Sequence, residues 1–579
     1  MGRNAEAQAE ALAKATLPSQ SHVLPEEVTD PTKPPTFEKL GLHPPIAASL
    51  RAAFPNVKTP TETQATFIPA ILSGKDVLLK DETGSGKSFG LVVALLNKPR
   101  VSSPGRSKNS VIRHVTSLVL VPHRDLAYQL LHWIERMTSV TKPPPLLSTI
   151  AQVLVRDGRS HLTDGLRLLR QTPPHILIGT PQAIMDVYKE DPEALQLDHL
   201  SSVVVDEVDY LIETVPNKDP SRSYHKATLK AKRKLLAHPG VTRQLLDIIY
   251  AQRKKTNAMR KDEPGIVQEM RRRELHRYPT EEPQLIFSSA TLRRHLNNYL
   301  FEESGWLNRD NLLKVRGNGN AAIEEKPQAI DANIHHGLGG TGISHSVLLV
   351  SEAGIENIAG AKAPPVNPAE TDHLHPIDPQ TLFAPTAKSE PVETDPDIAE
   401  KYKGTPTPFN PNVMEAIATA FALDVPSVAL LVLPSSSPVQ RAVHELREMG
   451  VNAHGLDLLT GEKGRSHLLR GDGNGQENPT LLVSTLATTR GLDLPELTHV
   501  FIMGIPDGPK VNGRTIDGYV HLAGRVGRFG RGGKVVTVVE KEGDAEDGEE
   551  GAGGVSQGSK MLRILATINK TPTAFVHFD

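Results

Sequence analysis

Short apolar runs bounded by charged or turn-forming residues recur through the first half of the chain. They read DVLLK, SLVLVP, HILIGTP, SSVVVDEVD and QLIFSSAT, and helical segments such as Arg124 to Met137 lie between them. Strands that are apolar on both faces and alternate with helices are typical of a parallel sheet covered on both sides. Functional groups are then expected at the carboxyl ends of these strands.

A second series of apolar runs follows after a gap, reading VALLVLP, TLLVST, HVFIMGIP and GKVVTVVE. The pattern therefore predicts two α/β domains, each a parallel sheet between helices, at 37–316 and 412–579. Residues 1–36 are rich in Ala, Pro and Glu and are interpreted as a flexible tail. Residues 317–411 are interpreted as a linker with a long, largely disordered low-complexity insertion, interrupted only by the strand-like run SHSVLLVS.

Two smaller interruptions fall inside the predicted domains. Residues 541–559 form an acidic, glycine-rich loop that has no apolar residues to build a core. A basic insertion spans about 215–280, and its segment Arg222 to Glu274 carries fifteen Lys and Arg against five Asp and Glu. Such a segment is either the solvated face of helices or a patch that binds the phosphates of a nucleic acid.

Composition narrows the classes of function. The 579 residues exceed what one core accommodates, and the net charge of −2 excludes a general polycation. The absence of cysteine excludes disulfides, zinc fingers, thiol nucleophiles and iron–sulfur clusters. The sequence contains no run of about 18 apolar residues, so it predicts no transmembrane helix. The first residues lack the apolar core of a secretory signal and include Glu6 and Glu10, which are unusual in an organellar transit peptide.

The stretch KDETGSGKSFG stands between the strand DVLLK and the helical run LVVALL. Gly84 and Gly86 let the backbone turn its N–H groups inward, and the helix that follows adds the positive end of its dipole, which together suit an anion. Lys87 is then expected to reach the β- and γ-phosphates of a nucleotide, and Ser88 to hold Mg²⁺. An incidental glycine turn is the alternative. The usual pattern opens with Gly, where this chain has Asp81.

The run VVVDEVD supplies a second element of an ATPase site. Asp206 ends an apolar strand and is expected to hold Mg²⁺ together with Ser88. Glu207 is expected to orient and deprotonate the attacking water. Adjacent carboxylates at a strand end are common by themselves, and their position after a phosphate-binding loop is what favours this role.

These motifs, in this order, resemble those of the DEAD-box RNA helicases of superfamily 2, with DEVD at the signature position. The resemblance runs from Phe37 to the C-terminus and implies two RecA-like domains that bind ATP and Mg²⁺. TPTETQ resembles the Q motif, which implies that Gln64 reads the adenine edge and Phe37 stacks on the ring. The nucleotide-binding residues that the resemblance implies in the phosphate loop are Thr83, Gly84, Ser85, Gly86, Lys87 and Ser88.

The remaining motifs of the family follow in sequence. VPHRDLAYQ, GTPQA and SAT resemble motifs Ia, Ib and III, LPSSS is a weak motif IV, and VSTLATTRGLD and YVHLAGRVGRFGRGG resemble motifs V and VI. By this resemblance Asp493 contacts the ribose, and Arg525 and Arg528 are arginine fingers that reach the γ-phosphate; an Arg-Gly surface loop is the alternative. RNA contact or coupling is implied for Arg124, Thr180, Ser289, Thr291, Thr485 and Arg490.

The chain departs from the family pattern at several positions. Gln182 and Ala183 replace Gly-Arg in motif Ib, which removes a cation from the RNA path, and His123 replaces Thr in motif Ia. Leu486 and Leu522 replace Asp in motif V and Arg in motif VI. Because a buried ion pair can be exchanged for two apolar residues at little cost, we expect these leucines to pack together.

The sequence leaves three functions open. The first is a monomeric ATP-dependent RNA helicase that acts on ribosomal precursors or other ribonucleoproteins, without a membrane, in the mitochondrial matrix or the nucleus and nucleolus. In this interpretation hydrolysis is fast only when ATP draws the two domains together. The second is an RNA-binding scaffold or clamp with little unwinding activity, and the third is a DNA-directed motor of the same superfamily.

Overall fold

The computed structural model describes most of both domains. The described residues are 35–104, 111–156, 161–215, 225–262, 282–317, 342–363, 402, 404–456, 479–489, 492, 494, 497–506, 511–527, 532–541 and 556–578. They form two α/β domains, each built on a seven-stranded sheet, which confirms the predicted fold class. The described residues contain no helix that is both long and apolar enough to cross a membrane.

The first sheet is parallel throughout and has the order β5-β6-β4-β7-β8-β1-β9. Its strands are β1 (Asp76–Lys80), β4 (Ser117–Leu120), β5 (Ala151–Leu154), β6 (Ile176–Gly179), β7 (Ser202–Asp206), β8 (Gln284–Ser289) and β9 (Leu312–Arg316). A short hairpin, β2 (Ser102–Pro104) and β3 (Val111–Arg113), lies outside this sheet. The five apolar runs named from the sequence are the five strands between the edges. The edge strands β5 and β9 escaped prediction.

Twelve described α-helices belong to the first domain. They are α1 (Pro44–Ala53), α2 (Glu62–Leu72), α3 (Lys87–Asn97), α4 (Arg124–Ser139), α5 (Leu147–Ile150), α6 (His161–Gln171), α7 (Pro181–Glu190), α8 (Val208–Leu211), α9 (His225–Ala237), α10 (Val241–Ile249), α11 (Ala251–Asp262) and α12 (Arg294–Asn298). Successive strand residues alternate between two apolar clusters: Val77 and Leu79 belong to one and Leu78 to the other. Helices therefore cover both faces of the sheet.

The second sheet has the order β11-β10-β16-β15-β12-β14-β13, and all neighbours are parallel except β10 and β11. Its strands are β10 (Ile343–Ser351), β11 (Gly354–Asn357), β12 (Val428–Leu433), β13 (Ala453–Gly455), β14 (Thr480–Thr485), β15 (Leu497–Met503) and β16 (Gly533–Glu540). Its described α-helices are α13 (Pro411–Asp424), α14 (Val439–Glu448), α15 (Gly513–Ala523) and α16 (Gln557–Thr567).

The second domain starts earlier in the chain than the sequence predicts. The run SHSVLLVS, predicted to lie in a linker ending at residue 411, forms β10, which pairs with β16 from Ile343 to Val350. The second sheet therefore begins at residue 343, and the low-complexity segment 364–401, which lies outside the described residues, falls within the domain. The acidic loop is also shorter than predicted, since Ser556 already caps α16; residues 542–555 lie outside the described residues.

The basic insertion is not one uniform surface. Its middle helix, α10, buries Leu245 and Leu246 in the apolar cluster that also contains Ile184 of α7. In α11, Arg253 is only 8% exposed. Its guanidinium donates to Asp76 Oδ2 at 2.9 Å and to Glu282 Oε2 at 2.9 Å. α10 therefore packs in the domain core, and α11 is anchored to the domain through Arg253. Residues 263–281 lie outside the described residues.

Candidate active site

The phosphate-binding loop joins β1 to α3. Gly84 and Gly86 have φ values of +85° and +82°, in the left-handed region that favours glycine. A Cβ at Gly86 would also lie 2.5 Å from Nε2 of Gln64. The left-handed turn at both positions therefore favours glycine, as the sequence predicts, and Gly86 also leaves room for the amide of Gln64.

Lys87 is buried at the start of α3, and its ammonium faces the loop. Nζ donates to the carbonyl oxygens of Asp81 at 2.8 Å and of Glu82 at 2.5 Å. Burial lowers the pKa of Lys87, against the opposing effect of the nearby carboxylates, Glu207 first among them. The ammonium is thus held among oxygen acceptors in a desolvated site, a setting that suits the phosphate oxygens of a nucleotide.

Ser88 and Asp206 meet across the sheet edge. Ser88 Oγ donates to Asp206 Oδ2 at 2.6 Å, and the N–H of Glu207 donates to Oδ1 at 3.1 Å. Burial, and then the charge of Glu207, raise the pKa of Asp206 to about 6. A buried carboxylate and hydroxyl side by side are the hard oxygen ligands that Mg²⁺ prefers, so these residues fit that ion.

Glu207 adopts φ +57°, a conformation uncommon for residues other than glycine. Its side chain is buried, and its Oε2 has no hydrogen-bond partner among the described residues. Backbone strain of this kind is characteristic of functional sites. The role of Glu207 in activating water stays a prediction.

His521 of α15 brings the second domain to this site. Its Nε2 lies 3.2 Å from Asp209 Oδ2, and its Nδ1 lies 3.7 Å from Glu207 Oε2. The ring is 1% exposed. His521 was not among the predicted site residues, although it is the first residue of the run HLAGRVGR, whose predicted roles fell on the arginines and on Leu522.

The SAT run connects to the same carboxylates. Ser289 Oγ donates to the carbonyl oxygen of Thr291 at 2.8 Å, and the N–H of Thr291 donates to Ser289 Oγ at 3.1 Å. Thr291 Oγ1 donates to Asp209, the residue that His521 also contacts. Asp209 therefore joins the SAT run to the second domain, which supplies a physical route for the predicted coupling.

Arg525 is the described member of the predicted pair of arginine fingers. It is 3% exposed, and its Nε donates to the carbonyl oxygen of His521 at 2.9 Å, while Nη1 donates to that of Leu492. Its charge lies close enough to Lys87 to help lower the pKa of that ammonium. Arg528, Asp493 and Arg490 lie outside the described residues, so their predicted roles stay predictions.

Gln64 and Phe37 occupy different settings. Gln64 Oε1 accepts from the N–H of Thr61 at 3.0 Å, and Nε2 donates to the carbonyl oxygen of Gly86 at 2.9 Å, which ties the Q-like segment to the phosphate loop. Phe37 is 1% exposed within an apolar cluster of the first domain. Its predicted stacking on adenine would require the ring to leave that cluster. Adenine recognition by Gln64 stays a prediction.

The predicted RNA-contact residues stand at strand ends. Arg124 opens α4 after β4, Thr180 precedes α7 directly after β6, and Thr485 ends β14. His123, which replaces the usual Thr, caps α4 by accepting from the N–H of Leu126 through Nδ1 at 3.3 Å. The substitution in motif Ia therefore preserves the start of the helix.

The two leucine replacements are both buried. Leu486 is 4% exposed and Leu522 is 1% exposed, and both belong to one apolar cluster of the second domain together with Leu430 and Leu482. The hydrocarbon environment accounts for the exchange of two charged residues for two apolar ones. Direct contact between the two side chains stays a prediction.

Comparison with known proteins finds two family models in order along the chain. The DEAD/DEAH box helicase model matches residues 61–238, and the helicase conserved C-terminal domain model matches residues 417–530. The human "Probable ATP-dependent RNA helicase DDX28" is 34% identical over 181 residues, 31% of each chain. "ATP-dependent RNA helicase MAK5" of Candida albicans is 34% identical over 160 residues, 27% of this chain and 20% of that protein.

The matched segment thus spans less than a third of these curated relatives. Among solved structures, "S. cerevisiae Dbp5 bound to RNA and ADP BeF3" aligns with 93% of this chain and 95% of its own, at 15% identity and a TM-score of 0.49.

Proposed function

Because this chain belongs to the DEAD-box helicases, we propose that it is an RNA-stimulated ATPase that binds RNA and locally unwinds or remodels it. One observation carries the proposal: the phosphate loop and carboxylates of the first domain face His521 and Arg525 of the second. His521 lies within 3.7 Å of Glu207, the residue expected to activate water. A site divided in this way is complete only when the domains are together.

In this proposal the first domain binds ATP. Lys87 and the N–H groups at the start of α3 hold the phosphates. Ser88 and Asp206 would hold Mg²⁺, which neutralises charge on the phosphates when bound. Glu207 accepts the proton of the attacking water, because its carboxylate is buried, ionisable and directed by its strained backbone.

The second domain adds positive charge at the moment of reaction. Arg525 turns from the carbonyl oxygens of His521 and Leu492 toward the γ-phosphate when ATP occupies the site between the domains. His521 holds Asp209 through Nε2, and its Nδ1 faces Glu207. Arginine fingers contribute on the order of 10³–10⁵ in rate in related ATPases and GTPases. Hydrolysis in the open arrangement is therefore slow.

RNA would favour the closed arrangement by bridging the two domains. Arg124, Thr180 and Thr485 stand at the carboxyl ends of strands in both sheets, which suits contacts to one nucleic-acid backbone. Backbone contacts carry little sequence preference. The expected action is local strand separation, with release after hydrolysis.

Single-turnover ATP hydrolysis with and without RNA, together with unwinding of a short duplex, tests the proposal. RNA should accelerate hydrolysis by tenfold or more, and Glu207→Gln should retain ATP binding but lose hydrolysis. A wild-type chain that hydrolyses ATP no faster with RNA would contradict the proposal.

A second candidate is an ATP-regulated RNA clamp with little unwinding activity. It is favoured by motif Ib, where Gln182 and Ala183 replace residues that include a cation. A clamp would show ATP-dependent RNA retention and leave the short duplex intact. Competition between RNA and DNA strands tests the DNA-directed alternative.

We further propose a ribosomal precursor or another ribonucleoprotein as the substrate, Mg²⁺ as the metal and a monomer as the active form. The insertions and the HLAGRVGR form of motif VI resemble those of divergent helicases that assist assembly of the mitochondrial large ribosomal subunit, which supports the substrate. Crosslinking bound RNA in cells and sequencing it would identify the target. Recovery of RNA without enrichment for ribosomal precursors would reject this part of the proposal.

A further inference from the structure

One face of α15 contacts the first domain at intervals of one helical turn. Gly513, Asp517 and His521 are spaced by four residues, so they lie on the same side of the helix. His521 contacts the DEVD carboxylates. Gly513 and Asp517 contact a different residue of the first domain, Arg293.

Arg293 forms an ion pair with Asp517 across the domain boundary. Arg293 Nε donates to Asp517 Oδ2 at 2.7 Å, and Nη2 contacts the same oxygen. The two side chains are 27% and 20% exposed. A Cβ at Gly513 would lie 2.3 Å from Arg293 Nη1, so the guanidinium fills the space that this glycine leaves.

Arg293 is placed to act on the catalytic residues. It follows the SAT run by two residues, and Thr291 of that run donates to Asp209. Asp517 precedes His521 by one turn of α15. The ion pair therefore joins the segment whose Thr291 contacts Asp209 to the helix that carries His521.

Charges of both signs surround Asp517, and Arg293 is the cation whose guanidinium forms a hydrogen bond with it. Burial raises the pKa of Asp517, the charge of Asp209 raises it further, and the charges of Arg293 and His521 lower it. Lys80 also faces Asp517 from the first domain. Closing the domains thus buries a carboxylate beside another carboxylate.

We propose that Arg293 is a positioning residue for ATP hydrolysis: it neutralises Asp517 when the domains close and thereby holds His521 against Asp209 and Glu207. This inference rests on the proposed function. Removing one partner of a buried ion pair leaves an uncompensated charge, whereas replacing both partners is close to neutral. Loss of Arg293 should therefore be harmful, and additional loss of the Asp517 charge should repair it.

A double-mutant cycle tests this expectation through steady-state ATPase at saturating RNA. Arg293→Gln should lower kcat about tenfold with little change in the KM for ATP, because ATP binds the first domain before closure. Asp517→Asn should have a smaller effect, since Arg293 can turn to solvent. The double variant should recover to within about threefold of the wild type. Arg294→Gln is the matched control, because Arg294 is exposed on the same turn.

Domain closure can be measured directly in the same variants. Because the chain has no cysteine, one cysteine on each domain, at the exposed positions Lys189 and Glu448, provides sites for a fluorescent pair. With RNA and a non-hydrolysable ATP analogue, Arg293→Gln should lose the closed population while its melting temperature stays that of the control.

The inference is overturned if Arg293→Gln closes and hydrolyses ATP like Arg294→Gln, or if the double variant is no better than Arg293→Gln. A wild-type chain that neither closes nor hydrolyses ATP with RNA overturns the proposed function itself, and the inference with it. The two failures are therefore distinguishable.

Discussion

Gly524 of the second domain lies so close to Thr83 of the phosphate loop that a Cβ at residue 524 would come within 1.5 Å of the Thr83 hydroxyl oxygen. The Cβ of Thr83 would itself be only 2.5 Å away. Rotation of the threonine side chain cannot relieve the second contact, because Cβ is fixed to the backbone. The two domains can therefore approach this closely only with glycine at position 524.

Gly524→Ala should keep the domains apart. We expect RNA-stimulated ATPase to fall by at least about 100-fold, because the closed arrangement supplies the second half of the site. Binding of ATP by the first domain and the melting temperature should stay unchanged. Gly240→Ala is the control, since nothing lies within 4 Å of a Cβ built there. Full activity of Gly524→Ala would show that the contact with Thr83 does not matter for hydrolysis.

Asp206→Asn should stabilise the nucleotide-free protein while it abolishes hydrolysis. Burial and Glu207 raise the pKa of Asp206 from 3.8 to about 6. The ionised form is therefore disfavoured by folding, at a cost of about 3 kcal/mol at neutral pH.

The stabilisation by Asp206→Asn should depend on pH in a defined direction. It should be full above pH 6, shrink as the pH falls from 6 toward 3.8 and the wild-type carboxyl takes a proton, and vanish below that range. Melting curves of both proteins across this range, without nucleotide or Mg²⁺, measure the difference. A difference that grows on acidification would contradict the assignment.

Arg253→Met should destabilise the first domain by about 3 kcal/mol, because it leaves Asp76 buried without its cation. Asp76 is 2% exposed and also accepts from the N–H groups of Leu285 and Asn308. Denaturant unfolding measures the change, and Lys255→Met, at an exposed position of the same helix, is the control. Equal stability of the two variants would mean that α11 is not anchored through Arg253.

Among the described residues of the basic insertion, the helix α9 presents exposed cations that are available to RNA. Lys230, Arg233 and Lys234 are exposed on it, and α9 carries no acidic residue. Changing these three to Gln should weaken RNA binding and reduce the slope of log affinity against log salt by roughly two.

The matched control for α9 removes three exposed lysines elsewhere on the first domain: Lys39, Lys75 and Lys189. Equal salt slopes for the two triple variants would leave α9 as an ordinary solvated face, the alternative that the sequence analysis kept open. The hypothesis of a phosphate-binding insertion would then be rejected for the described helix.

Local patterns were sufficient for the central strands and the phosphate loop. The strand β7, which ends at Asp206, is buried throughout, and its run of three valines is sufficient to predict a strand covered on both faces. Gly84 and Gly86 are readable because a phosphate loop requires their backbone conformation. The strand β10 was placed in the linker because Pro-, Gly- and acid-rich sequence follows it, and its partner β16 comes far later in the chain.

Pairings between distant residues could not be read from the sequence. Arg253 lies in a basic run, a pattern that predicts solvent-exposed side chains. Its burial depends on Asp76, which is 177 residues away in the sequence. Arg293 and Asp517 are 224 residues apart and belong to different domains. His521 has its function only through Asp209, 312 residues earlier. The first pairing exists only in the folded first domain, and the other two exist only when both domains are folded and in contact.

The central claim is that one ATPase site is divided between the two domains. Single-turnover hydrolysis of ATP at saturating RNA by Arg525→Gln and Arg525→Lys tests it most directly, with ATP binding and melting temperature measured in parallel. The account predicts that both variants bind ATP and stay folded while Arg525→Gln loses on the order of 10³ in rate, with Arg525→Lys recovering little because the planar fork is lost. Hydrolysis by Arg525→Gln at the wild-type rate would contradict it.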